Sequence, residues 1–182
     1  VTGIEHVEIA AGRIQLRPLS ADEAADVLEM LHDPETVRWN PVPRVVDLAS
    51  ARAWCEGCAD WSEGDHATFA VLDAATGRLV GNVSLWRIDL ADQRTAAVGY
   101  RTAPWARGQG VAAAAVDAVT GWAFGALGLE RIELPHAVAN PASCRVAEKA
   151  GFRLEGTMRA SFRAEDGQRY DEHLHARLAT DA

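Results

Sequence analysis

Val98-Gly99-Tyr100-Arg101-Thr102-Ala103-Pro104-Trp105-Ala106-Arg107-Gly108-Gln109-Gly110-Val111-Ala112 is the stretch on which the reading of this chain turns. It starts as the end of a strand, turns at Ala103-Pro104, and passes through a glycine-punctuated loop into an apolar helix expected from about Gly110 to Leu127. The first amides of a helix have no partner within it, and the macrodipole places partial positive charge there. Gly108 and Gly110 allow a ligand to approach that backbone closely, so the stretch is suited to hold a phosphate. The rest of the sequence has to say which phosphate.

Composition limits the choices. The 182 residues are enough for one domain with its own core, and 48% hydrophobic with 24% charged residues is ordinary for a globular chain. A formal net charge of -8 argues against nucleic acid or an anionic membrane as partner and suits a cationic substrate. No run approaches the roughly 20 apolar residues of a membrane helix. With no signal peptide in the first thirty residues, a cytoplasmic protein is expected. Cys55 and Cys58 have CxxC spacing, yet no second cysteine pair or His-x-x-x-His stands nearby to complete a zinc site. Leu48, Ala51, Trp54, Cys55, Cys58 and Trp61 repeat at helical spacing, so these cysteines read as small apolar residues on a helix face and no metal is assigned.

Working outward, residues 1–12 show no pattern and read as an N-terminal arm, with one domain from 13 to 182. Arg13–Leu19 alternates as a strand, and Ser20-Ala21-Asp22-Glu23 is a capping box for an amphipathic helix that Asp33-Pro34 stops. Residues 34–46, with three prolines and Trp39, read as irregular, and Asp47 caps a helix ending near Glu63-Gly64. Thr68–Leu72, Leu79–Ile88 and Thr95–Thr102 read as three strands joined by short turns, an antiparallel meander. The helix after Gly110 carries a single charge, Asp117, and should be largely buried. A strand follows over Arg131–Val138, then a helix with Asn140 as N-cap and Pro141 at N1, closed by Gly151. Phe152–Phe162 and Tyr170–Leu178 form a last hairpin around Asp166-Gly167. The predicted class is α+β, a single domain with a central, mostly antiparallel sheet flanked by helices.

Three phosphate ligands compete for the opening stretch. A P-loop needs Lys-Ser or Lys-Thr after its second glycine, and Gly110 is followed by Val111-Ala112. A dinucleotide site fits Gly108, Gly110 and Ala113 as G-x-G-x-x-A with Glu130 about 20 residues on, but Pro104–Arg107 intervenes where a tight strand-to-helix turn is wanted. The third option accounts for more residues. Arg107-Gly108-Gln109-Gly110-Val111-Ala112 resembles the R/Q-x-x-G-x-G/A acyl-CoA signature of the GNAT superfamily of N-acetyltransferases. Asn140-Pro141-Ala142-Ser143 and Val146-Ala147-Glu148-Lys149-Ala150-Gly151-Phe152 resemble the N-x-x-S…EK-x-GF segment of its RimJ/RimL-like branch, which contains ribosomal-protein-alanine N-acetyltransferases. Arg13–Leu19 and Gly81–Leu85 resemble two further strands of that branch, so the resemblance runs from about residue 13 to 178.

The resemblance implies a splayed sheet and acetyl-CoA as the acyl donor. Pantetheine would bond to exposed backbone at Tyr100, Arg101 and Thr102, and the pyrophosphate would lie on Arg107, Gly108, Gln109, Gly110, Val111 and Ala112. Asn140 and Ser143 would add contacts. The implied reaction is direct attack of a primary amine on the thioester, the acceptor being a protein N-terminus or a small amine such as a polyamine or aminoglycoside. A non-catalytic acyl-CoA sensor and a homodimer are left open. An unperturbed alkyl amine has a pKa near ~10.4, so a base or water chain must take its proton. A backbone N–H near Tyr100 would meet the oxyanion. The tyrosine that many relatives place seven residues after the motif asparagine is here Ala147, which leaves Ser143 as a candidate proton donor to the thiolate. His136 and Asp171 are candidate bases, each with a structural reading beside it, and the Asp171-Glu172 pair would attract a cationic amine. Glu133 reads as a surface residue, while Trp39, Trp54 and Trp86 fit either an acceptor pocket or the core.

Overall fold

Alternation and turn chemistry produce one eight-stranded sheet. The computed structural model describes residues 3–42 and 44–181. The strands are β1 (Ile9–Ala11), β2 (Ile14–Pro18), β3 (His66–Asp73), β4 (Leu79–Asp89), β5 (Thr95–Thr102), β6 (Arg131–Ala137), β7 (Arg153–Arg163) and β8 (Arg169–Leu178). The helices are α1 (Ala24–His32), α2 (Pro34–Trp39), α3 (Leu48–Ala59), α4 (Val111–Ala126) and α5 (Pro141–Lys149). The strand order is β1-β2-β3-β4-β5-β6-β8-β7, and every neighbouring pair is antiparallel except β5–β6. Helices cover both faces at the centre, so β3 is buried at every position from Ala67 to Leu72. Trp61, Phe69 and Trp122 meet there, with the Phe69 ring 4.8 Å from Trp61 and 5.3 Å from Trp122. No helix among the described residues is long and apolar enough to cross a membrane.

The parallel pair positions the site. β5 and β6 pair only at Thr95↔Arg131, Ala96↔Ile132 and Ala97↔Glu133, after which they diverge. On its other edge β5 stays bonded to β4 as far as Thr102↔Gly81, and the Ala103 N–H continues that ladder to the Val80 carbonyl. Antiparallel alternation then turns the backbone N–H and C=O of residue 101 toward β4 and those of Tyr100 and Thr102 toward the gap.

Local expectations are corrected in four places. Residues 9–11 of the expected arm pair with β2 as an edge strand, and Ile4 is buried with its N–H bonded to the Trp61 carbonyl. The stretch expected to be irregular begins with α2. Asp33 both ends α1, through its extended backbone, and caps α2 by accepting from the Thr36 N–H, while Pro34 occupies N1. α3 stops at Ala59, short of the expected 63. α4 is buried on only one side, through Ala115, Val116, Val119, Thr120 and Ala123. Its exposed side is made of Ala114, Gly121, Gly125 and Ala126 beside Asp117, small residues that an apolar count scores as core.

Candidate active site

Two cavities meet where β5 and β6 separate. The first, about 390 Å³, lies among α2, the end of β5, the Ala106–Gly110 loop, the first turn of α4 and one face of α5. The second, about 590 Å³, lies on the other side of the gap and is lined by Trp86, Glu133, Met158, Phe162 and Glu172 among others. Trp39, Asn40, Tyr100, Arg101, Asn140 and Ser143 line both, so the junction between the cavities is built from them.

The loop supplies an anion cradle. Gly108 and Gly110 have φ of 74° and 79°, values that disfavour any side chain. Gly110 caps α4 with no side-chain bond, so the first-turn amides of Val111 and Ala112 are free to meet a ligand, and both residues line the first cavity. Gln109 does not line it; its side-chain amide donates to the Trp105 carbonyl at 3.4 Å. Arg107 lines it, but its guanidinium pairs with the Asp33 carboxylate and donates to Thr36 Oγ1 at 3.3 Å. The Arg107 hydrogen bond is the main reason the Asp33 carboxyl sits below its usual range. Arg107 therefore anchors the loop to α2. Arg145 and Lys149, one turn apart on α5, line the same cavity and add cationic charge; the motif includes Lys149 without giving it a role and does not include Arg145. Their i,i+4 spacing on a helix capped by Asn140 was the available signal.

At the junction, the Tyr100 hydroxyl donates to Ser143 Oγ at 2.9 Å. Burial pushes the Tyr100 phenol up to about 12, so it remains protonated and a donor at neutral pH. Because Ser143 Oγ accepts from Tyr100, its own hydrogen is directed elsewhere. Asn140 Oδ1 accepts from the Ser143 N–H at 3.3 Å, which fixes the serine at the helix start. Arg101 donates to the Asn40 carbonyl at 3.2 Å and lies over the Trp54 ring at 5.9 Å. Thr102 lines the first cavity only.

The candidate bases fare differently. His136 is 7% exposed, its Nδ1 is 2.9 Å from the Ala137 carbonyl, and burial lowers its pKa, keeping the ring neutral. Its ring stacks on His175 at 5.1 Å, beneath α5. Asp171 is not among the lining residues. Its carboxylate accepts from the Ala160 N–H at 2.8 Å and so holds a bulge in β7, between Met158 and Phe162, where Ala160 has φ of 48°. That bulge sets Met158, Ser161 and Phe162 against the second cavity. The neighbour Glu172 lines the cavity instead, as does Glu133, which is paired with Arg131 at 3.1 Å and Arg87 at 3.7 Å. Trp39 and Trp86 also line it, and Trp54 does not.

The comparisons with known proteins follow the same outline. A family model described as an acetyltransferase (GNAT) domain matches residues 13–153. No curated protein sequence matches the chain. Among solved structures, the ribosomal-protein-S5-alanine acetyltransferase from Vibrio fischeri superposes with a TM-score of 0.84 at 20% identity, covering 96% of this chain and 98% of that one. RimJ from Mycobacterium smegmatis, in complex with CoA-disulfide, gives 0.82 at 26% identity, covering 96% and 86%. The microcin C7 self-immunity acetyltransferase MccE, in complex with acetyl-CoA and AMP, gives 0.82 at 20% identity, covering 92% and 93%.

Proposed function

The chain belongs to the GNAT family of acetyltransferases, and from that membership we propose that it transfers the acetyl group of acetyl-CoA to a protein N-terminal amine, in the manner of the RimJ/RimL-like branch. The observation that carries the proposal is the junction at Tyr100 and Ser143, which line both a cavity suited to an anion and an acidic, aromatic one. The first takes the pyrophosphate on the amides of Val111 and Ala112, beside Arg145 and Lys149. Pantetheine runs along the free edge of β5, where Tyr100 and Thr102 present backbone groups, and brings the thioester to the junction.

The amine enters from the second cavity and attacks the thioester carbonyl, forming the new C–N bond. The Tyr100 N–H faces the gap and suits the oxyanion. Glu172, or a water held by it, takes the ammonium proton before attack. As the tetrahedral intermediate collapses the C–S bond breaks and the nitrogen gives its second proton to water. The thiolate takes the Ser143 hydroxyl proton, Tyr100 passes its own proton to the serine oxygen, and water reprotonates the phenolate. That pair does the work of the tyrosine that Ala147 replaces.

A small cationic amine is the second reading, favoured by the Glu133 and Glu172 carboxylates and a net charge of -8. The deciding experiment follows thiol release from acetyl-CoA with N-terminal peptides and with a panel of polyamines and aminoglycosides. Peptide acetylation alone supports the proposal. Turnover confined to small amines moves the assignment to the second reading, and acetyl-CoA binding without turnover on either set makes the protein a sensor.

A further inference from the structure

Three histidines and a cysteine gather under α5; His136 also lines the second cavity, and none of the four has a role in the acetyl transfer proposed above. In the β6–β8 register His136 is opposite His173 and Leu134 is opposite His175, so alternation puts all three imidazoles on one face of the sheet. Cys144, from α5, places its Sγ 4.0 Å from His175 Nε2. One donor atom each from His136, Cys144 and His175 falls within 4.8 Å of the other two.

We propose that His136, Cys144 and His175 bind a soft divalent cation of the zinc class. Two imidazole nitrogens and a thiolate are a donor set zinc prefers over magnesium or calcium. His136 Nδ1 lies 2.9 Å from the Ala137 carbonyl, which fixes the proton there and leaves the lone pair on Nε2. A carbonyl behind a histidine in this way is the usual support of a metal ligand. His136 Nε2 is buried with no hydrogen-bond partner among the described residues, an unfavourable state that a bound cation relieves, and His175 turns its Nε2 toward Cys144. Tetrahedral zinc sets its donors roughly 3.3–3.6 Å apart, so the cluster closes by about 1 Å, within the reach of side-chain torsions. A fourth ligand is at hand in Glu148, one turn along α5, whose Oε1 lies 3.8 Å from Cys144 Sγ. Cys144, Glu148 and His175 share a surface cleft of about 600 Å³, which gives the ion its path in. The bound ion ties the start of α5, and with it Ser143, to β6 and β8.

The sequence reading assigned no metal because it tested only Cys55 and Cys58, whereas these ligands are brought together by strand register. The test uses the full chain, stripped with chelator and titrated with Co²⁺, then Zn²⁺, without acetyl-CoA. One Co²⁺ per chain should bind with the visible bands of a tetrahedral site and a thiolate-to-cobalt charge-transfer band, and Zn²⁺ should displace it. Cys144→Ser, near-isosteric and half-exposed, should remove the charge-transfer band and weaken binding roughly tenfold or more. His175→Gln should weaken it similarly, while Cys58→Ser should change neither. Far-UV circular dichroism and the acetyl-CoA melting shift report whether each variant is folded, independently of metal. A weak octahedral spectrum, or a charge-transfer band that survives in folded Cys144→Ser, overturns the site.

Discussion

At the scale of single residues, the proposed chemistry rests on two hydroxyls. Tyr100 donates to Ser143 and burial raises the phenol pKa, which under the proposed mechanism leaves the serine hydrogen to the departing sulfur. Ser143→Ala should lower kcat about 100-fold, the low end for general acid catalysis, without reducing the acetyl-CoA melting shift. Tyr100→Phe should cost roughly 3- to 10-fold, as expected for one hydrogen bond. Equal losses in kcat and in acetyl-CoA affinity would instead make the pair a structural clip. Asp171 illustrates how a residue can be legible and its role not. The sequence marked an acidic residue ahead of the last strand, but only the β7 bulge shows its carboxylate turned to the Ala160 N–H. Asp171→Ala is therefore expected to raise KM for the amine several-fold, through a loosened Met158–Phe162 segment, and to leave acetyl-CoA binding unchanged; steady-state kinetics with each substrate varied separate the two.

At the scale of elements, α2 ties the two cavities together. Its Trp39 ring lies 6.3 Å from Phe162 and 5.9 Å from Tyr170, so it packs against the β7–β8 hairpin across the acceptor side. Its start is held to the cofactor loop by the Asp33–Arg107 pair. The Asp33 carboxyl is held below its ordinary 3.8, chiefly by the hydrogen bond from Arg107. A carboxyl depressed in the folded state contributes stability above its unfolded pKa and loses it as the pH falls through the folded value. Asp33→Asn keeps the cap and removes the charge. At pH 7 it should melt roughly 2–4 °C lower, the effect of an ion pair worth up to about 1 kcal/mol at a partly exposed site. The two proteins should converge as the pH drops below 3.8. A gap that persists in acid, followed by calorimetry, would mean that the charge is not what holds α2. The sequence missed this helix because three prolines and a tryptophan in 34–46 outweighed one Asp-Pro dipeptide, which ends one helix and starts the next.

At the scale of the whole molecule, the proposed function follows from a sheet that opens along one seam. β5 and β6 share three register pairs and then part, leaving an unpaired strand edge inside the fold, between an anion cradle and an acidic pocket. Acetyl-CoA at about a hundredfold excess over Kd should raise Tm by roughly 5–10 °C for a domain of this size. Gly110→Glu should abolish that rise, since it adds a charge and a strained side chain at φ 79° where the pyrophosphate is proposed to lie. A full shift in the variant would remove the pyrophosphate from this loop. The sequence by itself determined the strand alternation, the glycine loop feeding α4 and the Asn140 cap. Each of these depends on residues within a few positions of one another, where backbone conformation and capping are local. Only the tertiary structure decided that Arg107 turns to Asp33, that Tyr100 reaches Ser143, that Glu172 rather than Asp171 lines the second cavity, and that His136 and His175 come near Cys144. Those pairings join residues far apart in the chain, and their geometry is set by strand register and by the packing of α2 and α5, which no local pattern encodes.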